Sequence, residues 1–564
     1  MKNFKKSVNL VLAMVLALSV SNLTACGGGG TDNPFEKIEG EMGNDSKTLE
    51  IYVYDAGYGL QWLDKMIEAF NADNEYEIGY IPYVGEGATL IQSKITSGPK
   101  NNTIDLFIGG ATYDLFVELG NKAVSGYDCC LESLDDVYSA VLPGENITVE
   151  DKMWDDYSSQ YMMNCPGVGE HYYAFPWASG TTGMLYNQAV FNKVGLTSEP
   201  RTSSELLEYA QAIKDANIPN TTAITYSPEA NYTEYLFYTW WAQYQTMAGI
   251  DDFYNCKTPE SQLFVTPEAA LGIFDQKGIL AGLSACEELL DAKKGFAAYG
   301  TEGLSFMTAQ ARFVDGQCAM MVNGDWLENE LLKTQSGIEA SYTKEELQDI
   351  KMMKTPIISA ISDKLSYYTE DASWDEISAD KKEAYDAKLR EIVDYVDGVS
   401  STMPTFATEA DIKIVAEARQ VIYSIGSYHG CAIPAYSTAK DIAKDFLKFM
   451  ASDEGCAIYQ QNTNGAMLPF DYDYKAVEGY DDCSVFAKNN MDTIANAITF
   501  CLPNHRATWL AGGLAPYTGV TSLCITFGTA DAATKKTAKQ IIQNTKSVWD
   551  VGKMTRLLEN AGII

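Results

Sequence analysis

Histidine is almost absent, with 3 copies in 564 residues, at positions 171, 429 and 505. Chemistry built on imidazole bases or imidazole-bound metal has little to work with. The chain holds no His-Glu-x-x-His helix and no Gly-x-Ser-x-Gly nucleophile elbow. It lacks a Gly-Lys-[Ser/Thr] phosphate loop, and Gly85-Glu86-Gly87 lacks the further glycine of a dinucleotide turn. Positive charge is scarce too: 41 Lys and Arg stand against 76 Asp and Glu, a net charge of −35. A field of that sign repels phosphate backbones and anionic headgroups, which excludes nucleic acid as a partner. Neutral or cationic ligands remain. The acidic runs at Asp471 to Asp473 and Asp481-Asp482 lack the glycine and spacing of a calcium loop, so no metal is expected. Beyond the first 26 residues no apolar run approaches the roughly 18–20 residues that span a bilayer.

What is present is the material for a large core. Hydrophobic residues make up 46% and aromatics 12%, including 35 Tyr and 9 Trp, and the length is enough for several domains. Residues 1–25 read as an export signal: Lys2, Lys5 and Lys6 lead the apolar stretch Val8 to Val20. Leu23-Thr24-Ala25-Cys26 then resembles a bacterial lipobox, in which the cysteine is lipidated and becomes the mature N-terminus. Gly27 to Gly30 and the polar stretch to Lys47 complete a flexible tether over 26–47. The expected product is an acidic globule held to the extracytoplasmic face of the cell membrane by lipid alone. Removing Cys26 from the 12 cysteines leaves an odd number, and no Cys-x-x-Cys occurs. Small buried hydrophobes are favoured over a disulfide framework.

Periodicity gives an α/β fold. Leu49 to Tyr54, Tyr76 to Tyr83 and Ile104 to Ile108 read as strands. Between them, Leu60, Leu63, Ile67 and Phe70, then Leu90, Ile91 and Ile95, recur at helical spacing. This β-α-β-α-β run predicts a parallel sheet, with ligand beyond the carboxyl ends of its strands, in the loops Asp55 to Gly59 and Gly109 to Tyr113. Gly183 to Asn187 predicts a further strand. Thr202 and Glu205 are spaced as a capping box, Tyr232 to Tyr244 is an aromatic cluster, and Ala439 to Met450 is an amphipathic helix. Residues 341–400 are charged and helical in pattern, as in a surface insertion.

Several of these segments, in order, resemble the extracellular solute-binding proteins of ABC importers, specifically the maltose-binding-protein-like sugar binders. They are Tyr173 to Trp177, Gly183 to Asn187, Phe191 to Leu196, and Phe313-Val314-Asp315-Gly316-Gln317-Cys318-Ala319-Met320-Met321-Val322-Asn323-Gly324-Asp325-Trp326. The last resembles the block F-x-x-G-x-x-A-M-x-x-x-G-x-W. Ala439 to Gly455 resembles A-x-x-F-L-x-F, and Asn464 to Pro469 loosely resembles the G-x-x-P that follows, with one extra residue before the proline. The resemblance covers nearly the whole mature chain. It implies a two-lobed periplasmic-binding-protein-like fold of type II, with discontinuous lobes joined by crossing strands. Lobe 1 would take 48–182 and 431–500; lobe 2 would take 183–430 and 501–564, carrying the 341–400 insertion. The crossings would be Gly183 to Asn187 and Ala432 to Ala435.

The resemblance also implies a monomer that binds carbohydrate in an inter-lobe cleft, delivers it to ABC permease subunits, and uses no cofactor. Pyranose rings stack on aromatic faces and present hydroxyls to planar polar groups. Trp326, in the most specific block, stands where the family places a sugar-stacking tryptophan. Trp177, Trp241 and Trp509 are further candidates. Asp55, Tyr58 and Gly110 follow strand ends, and Asn323 and Asp325 flank the turn before Trp326. A receptor for a non-sugar solute and a surface glycan-degrading enzyme stay open, since spacing in sequence does not give the carboxylate separation that glycoside hydrolysis needs.

Overall fold

The computed structural model describes residues 47–564 except 73, 86, 110–114, 116–118, 120–121, 125, 155–161, 166–168, 230, 258–265, 333–341, 503–513, 521 and 561–563. Cys26, the expected signal and the tether up to residue 46 therefore lie outside the described residues, as do Gly110 and Trp509.

Leu49, Ile51 and Val53 are fully buried in the strand Thr48–Tyr54, and Tyr52 between them is nearly so. A strand buried on both faces belongs at the centre of a covered parallel sheet. It pairs in parallel with Glu77–Tyr83 and with Leu106–Ile108, in register at Ile51↔Tyr80 and Ile51↔Leu106. Gly430–Ala432 and Phe175–Pro176 extend the sheet antiparallel, giving five strands. The helix Gln61–Phe70 covers it with Trp62, Leu63, Met66 and Phe70. The predicted β-α-β-α-β unit is thus present.

A second sheet has four strands, ordered Ile350–Met352, Thr182–Asn187, Cys318–Gly324, Thr222–Thr225. All seven residues of Cys318–Gly324 are buried. Each sheet organises its own core. The chain leaves the first lobe through 177–181 and returns through 424–429, and these two segments pair at Thr181↔Ser424. Ile425 accordingly packs against both cores. The crossing expected at Ala432 to Ala435 falls earlier, because Gly430–Ala432 is already a strand of the first sheet.

Three other expectations change. The stretch 341–400 is not a surface insertion: Ile350–Met352 is an edge strand of the second sheet, and Leu389, Ile392 and Val393 are fully buried in its core. Its charged residues line the outer face of the helix Ala379–Val396, which masked the apolar stripe. The lobe boundary at 500 is too late. Phe486, on the helix Val485–Ile494, packs with Leu185, Met321 and Met352 of the second lobe, and Ile498–Phe500 pairs with Val421–Tyr423. The Thr202 capping box is half made. Thr202 Oγ1 accepts the Glu205 N–H at 3.1 Å, but the Glu205 carboxylate turns to Arg201, accepting its backbone N–H at 2.6 Å and its guanidinium at 2.6–2.9 Å. A charge-assisted fork outcompetes a single amide.

Cys256, Cys286, Cys318, Cys431, Cys456 and Cys524 are buried free thiols. Among the described residues no helix is long and apolar enough to cross a membrane.

Candidate functional site at the junction of the lobes

The site is built where the strand Cys318–Gly324 of the second lobe ends. A side chain at Gly324 would put its Cβ 2.2 Å from the Trp326 ring, so the indole folds back over its own strand end only because glycine stands there. Glycine is needed again across the junction: a Cβ on Gly57 would lie 2.9 Å from Glu330 Cγ and 3.1 Å from Trp326 Cβ. The loop after the first strand of one lobe thus rests directly on the segment 325–330 of the other.

Asp325 fastens that approach. Its Oδ1 accepts the Tyr58 hydroxyl at 2.6 Å. Its Oδ2 accepts Ser179 Oγ at 3.1 Å, Thr181 Oγ1 at 3.0 Å and the Thr181 N–H at 3.4 Å. Its own N–H donates to Thr181 O at 3.0 Å. One carboxylate therefore ties lobe 1, the crossing segment and lobe 2 together. Burial pushes the Asp325 carboxyl up to about 6, against the pull of those donors. One turn on, Asn329 donates to Thr463 O at 2.6 Å and accepts Asn464 Nδ2 at 2.8 Å.

Tyr58 is held by an aromatic nest of lobe 1. Trp177 meets it edge-on at 5.9 Å and stacks on Trp62 at 5.7 Å, while its indole N–H donates to Gly109 O at 2.9 Å. His429 and Tyr459 close the nest, 5.7 and 6.2 Å from the Tyr58 ring. Burial forces the His429 imidazole down to about 3, so the ring is neutral. Its Nδ1 and the Tyr459 hydroxyl are buried with no hydrogen-bond partner among the described residues. Each such atom costs roughly 1–3 kcal/mol.

On the other side of Trp326 lies the start of the helix Thr233–Tyr254. Tyr232 meets the indole edge-on at 5.8 Å, and the ring series runs on through Tyr235 to Tyr423 and Tyr238. Tyr232 is the residue that packs against the cores of both lobes and the smaller cluster beside the second sheet. Burial, and after it the charge of Glu330, raises the hydroxyl pKa of Tyr54 and Tyr232; the Glu330 carboxylate itself accepts from Gln310 at 2.6 Å.

Of the sequence-predicted residues, the junction thus gathers Asp55, Tyr58, Asp325 and Trp326. Asp55 is half-buried in the lobe 1 loop, its N–H donating to Tyr83 O at 2.8 Å. Trp326 is 5% exposed, more enclosed than an open cleft wall. Trp177 is fully buried and serves as the backing of Tyr58. Asn323 is fully buried within its strand opposite Gly183. Trp241 is not brought to the junction: it lies in the second lobe's core, stacked on Phe237, with its N–H on Gln276 Oε1 at 3.0 Å. Sequence reasoning overlooked Tyr232, Tyr235, Glu330, His429 and Tyr459. The cluster Tyr232 to Tyr244 was the available signal, but helical phase puts Tyr232 and Tyr235 at the joint and Trp240, Trp241 and Tyr244 in the core.

Two α/β lobes, joined by crossing segments and meeting over rings and carboxylates, define a two-lobed binding fold. Residues 56–455 match the profile of the bacterial extracellular solute-binding proteins, and the chain belongs to that family. Solved structures agree on the fold. A maltose-bound MalE3 of T. maritima is 14% identical, covers 89% of this chain and 98% of its own, and has a TM-score of 0.51. A chitin oligosaccharide binding protein is 14% identical over 90% and 99%, also at 0.51. An ABC substrate-binding protein of Listeria monocytogenes in complex with cycloalternan is 13% identical over 90% and 98%, at 0.50. A search of curated proteins gives no match.

Proposed function

We propose that this solute-binding protein takes a carbohydrate, of oligosaccharide size, between its lobes and hands it unaltered to the permease subunits of an ABC importer. The observation that carries the reading is the set Trp326, Tyr232, Tyr54, Asp55 and Glu330. It gathers aromatic rings, which suit the C–H side of a pyranose, and carboxylates, which suit its hydroxyls, from both lobes. The net charge of −35 favours a neutral ligand over an anionic one. The solved relatives named for maltose, chitin oligosaccharide and cycloalternan support the same class. Export and lipidation at Cys26 would hold a monomer at the extracytoplasmic face, within reach of the permease.

A thermal-shift screen of neutral oligosaccharides against the purified protein tests this. We expect at least one glycan to raise the melting temperature and to be recovered intact after incubation. No shift across the panel would remove the carbohydrate assignment, and cleaved glycan would replace binding with catalysis. Fatty-acid labelling of cells tests the anchor: Cys26→Ala should lose the label, and equal labelling would refute lipidation.

A further inference from the structure

Asp325 was expected to meet the solute, yet its carboxylate spends all its described bonds inside the protein. We propose that Asp325 is a positioning residue that couples lobe closure to proton uptake, so that this protein closes more readily at mildly acidic than at neutral pH. The inference rests on the solute-binding reading only in taking closure to be the functional motion.

The geometry makes the case. Asp325 is 2% exposed, and its four donors, from Tyr58, Ser179 and Thr181, are all neutral. Among the described residues no lysine or arginine pairs with it. A buried carboxylate without a cation is held at a net electrostatic cost that hydroxyl donors only partly offset. The Tyr58 bond spans the lobes, since Tyr58 is fixed in lobe 1 by Trp177, His429 and Tyr459. Opening breaks that bond and admits water to the carboxylate, which restores its ordinary acidity. The closed state therefore binds a proton at Asp325 more tightly than the open state does. By linkage, protons favour closure, and the effect falls between the ordinary carboxyl range and about pH 6.

The surrounding groups are common to the wild type and the residue 325 variant. From the lobe 1 loop come Tyr58 and Asp55; from the helix Asp453–Asn462, Tyr459; from the returning segment, His429; from the segment following Trp326, Glu330. With the lobes together His429 is neutral and Tyr459 sits well above the ordinary phenol value, and both groups are the same in the wild type and in Asp325→Asn. Asp55 and Glu330 are untouched by changes at residue 325 and cancel in the comparison of variants.

Small-angle scattering of the ligand-free protein at pH 5 and pH 7.5 tests the coupling without any sugar. The wild type should have the smaller radius of gyration at pH 5, and Asp325→Asn should give the same radius at both. Tyr58→Phe keeps the ring packing and removes a donor that steadies the ionised form, so its response should persist with a midpoint at higher pH. This second variant carries the test if Asp325→Asn does not fold. A radius in the wild type that ignores pH, an equal response in Asp325→Asn, or a midpoint unmoved by Tyr58→Phe would each overturn the proposal. Failure of every glycan in the screen above would leave these outcomes readable, so the two readings fail separately.

Discussion

Two shielded carboxylates in this protein are treated in opposite ways. Asp397, in the second lobe, lies 3.0 Å from Arg419 Nη2 and 3.0 Å from Lys354 Nζ. Burial alone would raise its carboxyl, but Arg419 and Lys354 overcome that and hold it below the ordinary carboxylate range. Asp325, at the joint of the lobes, has hydroxyl and amide donors only, and burial wins. A scaffold that keeps one shape can carry a neutralised pair. The closure proposed above would instead act on a charge whose environment changes with the motion.

The comparison is most easily broken at the paired end. Arg419→Ala leaves Asp397 shielded without its main partner, and urea unfolding should show a loss of about 3–5 kcal/mol. A loss near zero would mean that the pair does not hold the lobe. Trp177→Ala removes the backing of Tyr58 from lobe 1 and should cost a similar amount, about 3–5 kcal/mol, by leaving a cavity. Wild-type stability after that change would place the indole at the surface.

Acid titration sharpens the contrast because the two groups have opposite signs. Asp397 is depressed, so its contribution is complete above its unfolded value near 3.8 and is lost as pH falls through the lower folded value. Asp325 is raised to about 6, so the folded state gains stability as pH falls from about 6 towards 3.8. Relative to Asp325→Asn, the wild type should therefore weaken by up to about 2 kcal/mol as pH rises from 4 to 7.5. A difference between the two that is flat in pH would contradict the assignment.

The same contrast shows what a sequence can and cannot disclose. The first sheet was legible because Leu49, Ile51 and Val53 alternate within a strand and are followed at helical spacing by Leu63, Ile67 and Phe70. The turn after Cys318–Gly324 was legible as the ordered motif ending in Gly324-Asp325-Trp326. The role of Asp325 was not, because it depends on Tyr58, 267 positions away, and on a crossing segment whose place is set by tertiary packing. Trp241 misled for a related reason. Ring chemistry alone does not say which face of the helix Thr233–Tyr254 turns to the joint. Residues 341–400 misled because charge on the outer face hid Leu389, Ile392 and Val393.

In the proposed function the solute lies against Trp326 at the joint of the lobes. Titration calorimetry of the wild type and Trp326→Ala, with whichever oligosaccharide shifts the melting temperature most, tests it directly. Stacking on an aromatic ring scales to about 1–3 kcal/mol by analogy with nucleic-acid bases, so Trp326→Ala should weaken binding by about 5- to 150-fold while still folding at the assay temperature. Equal affinity and stoichiometry in the two proteins would contradict the account and move the solute away from this joint.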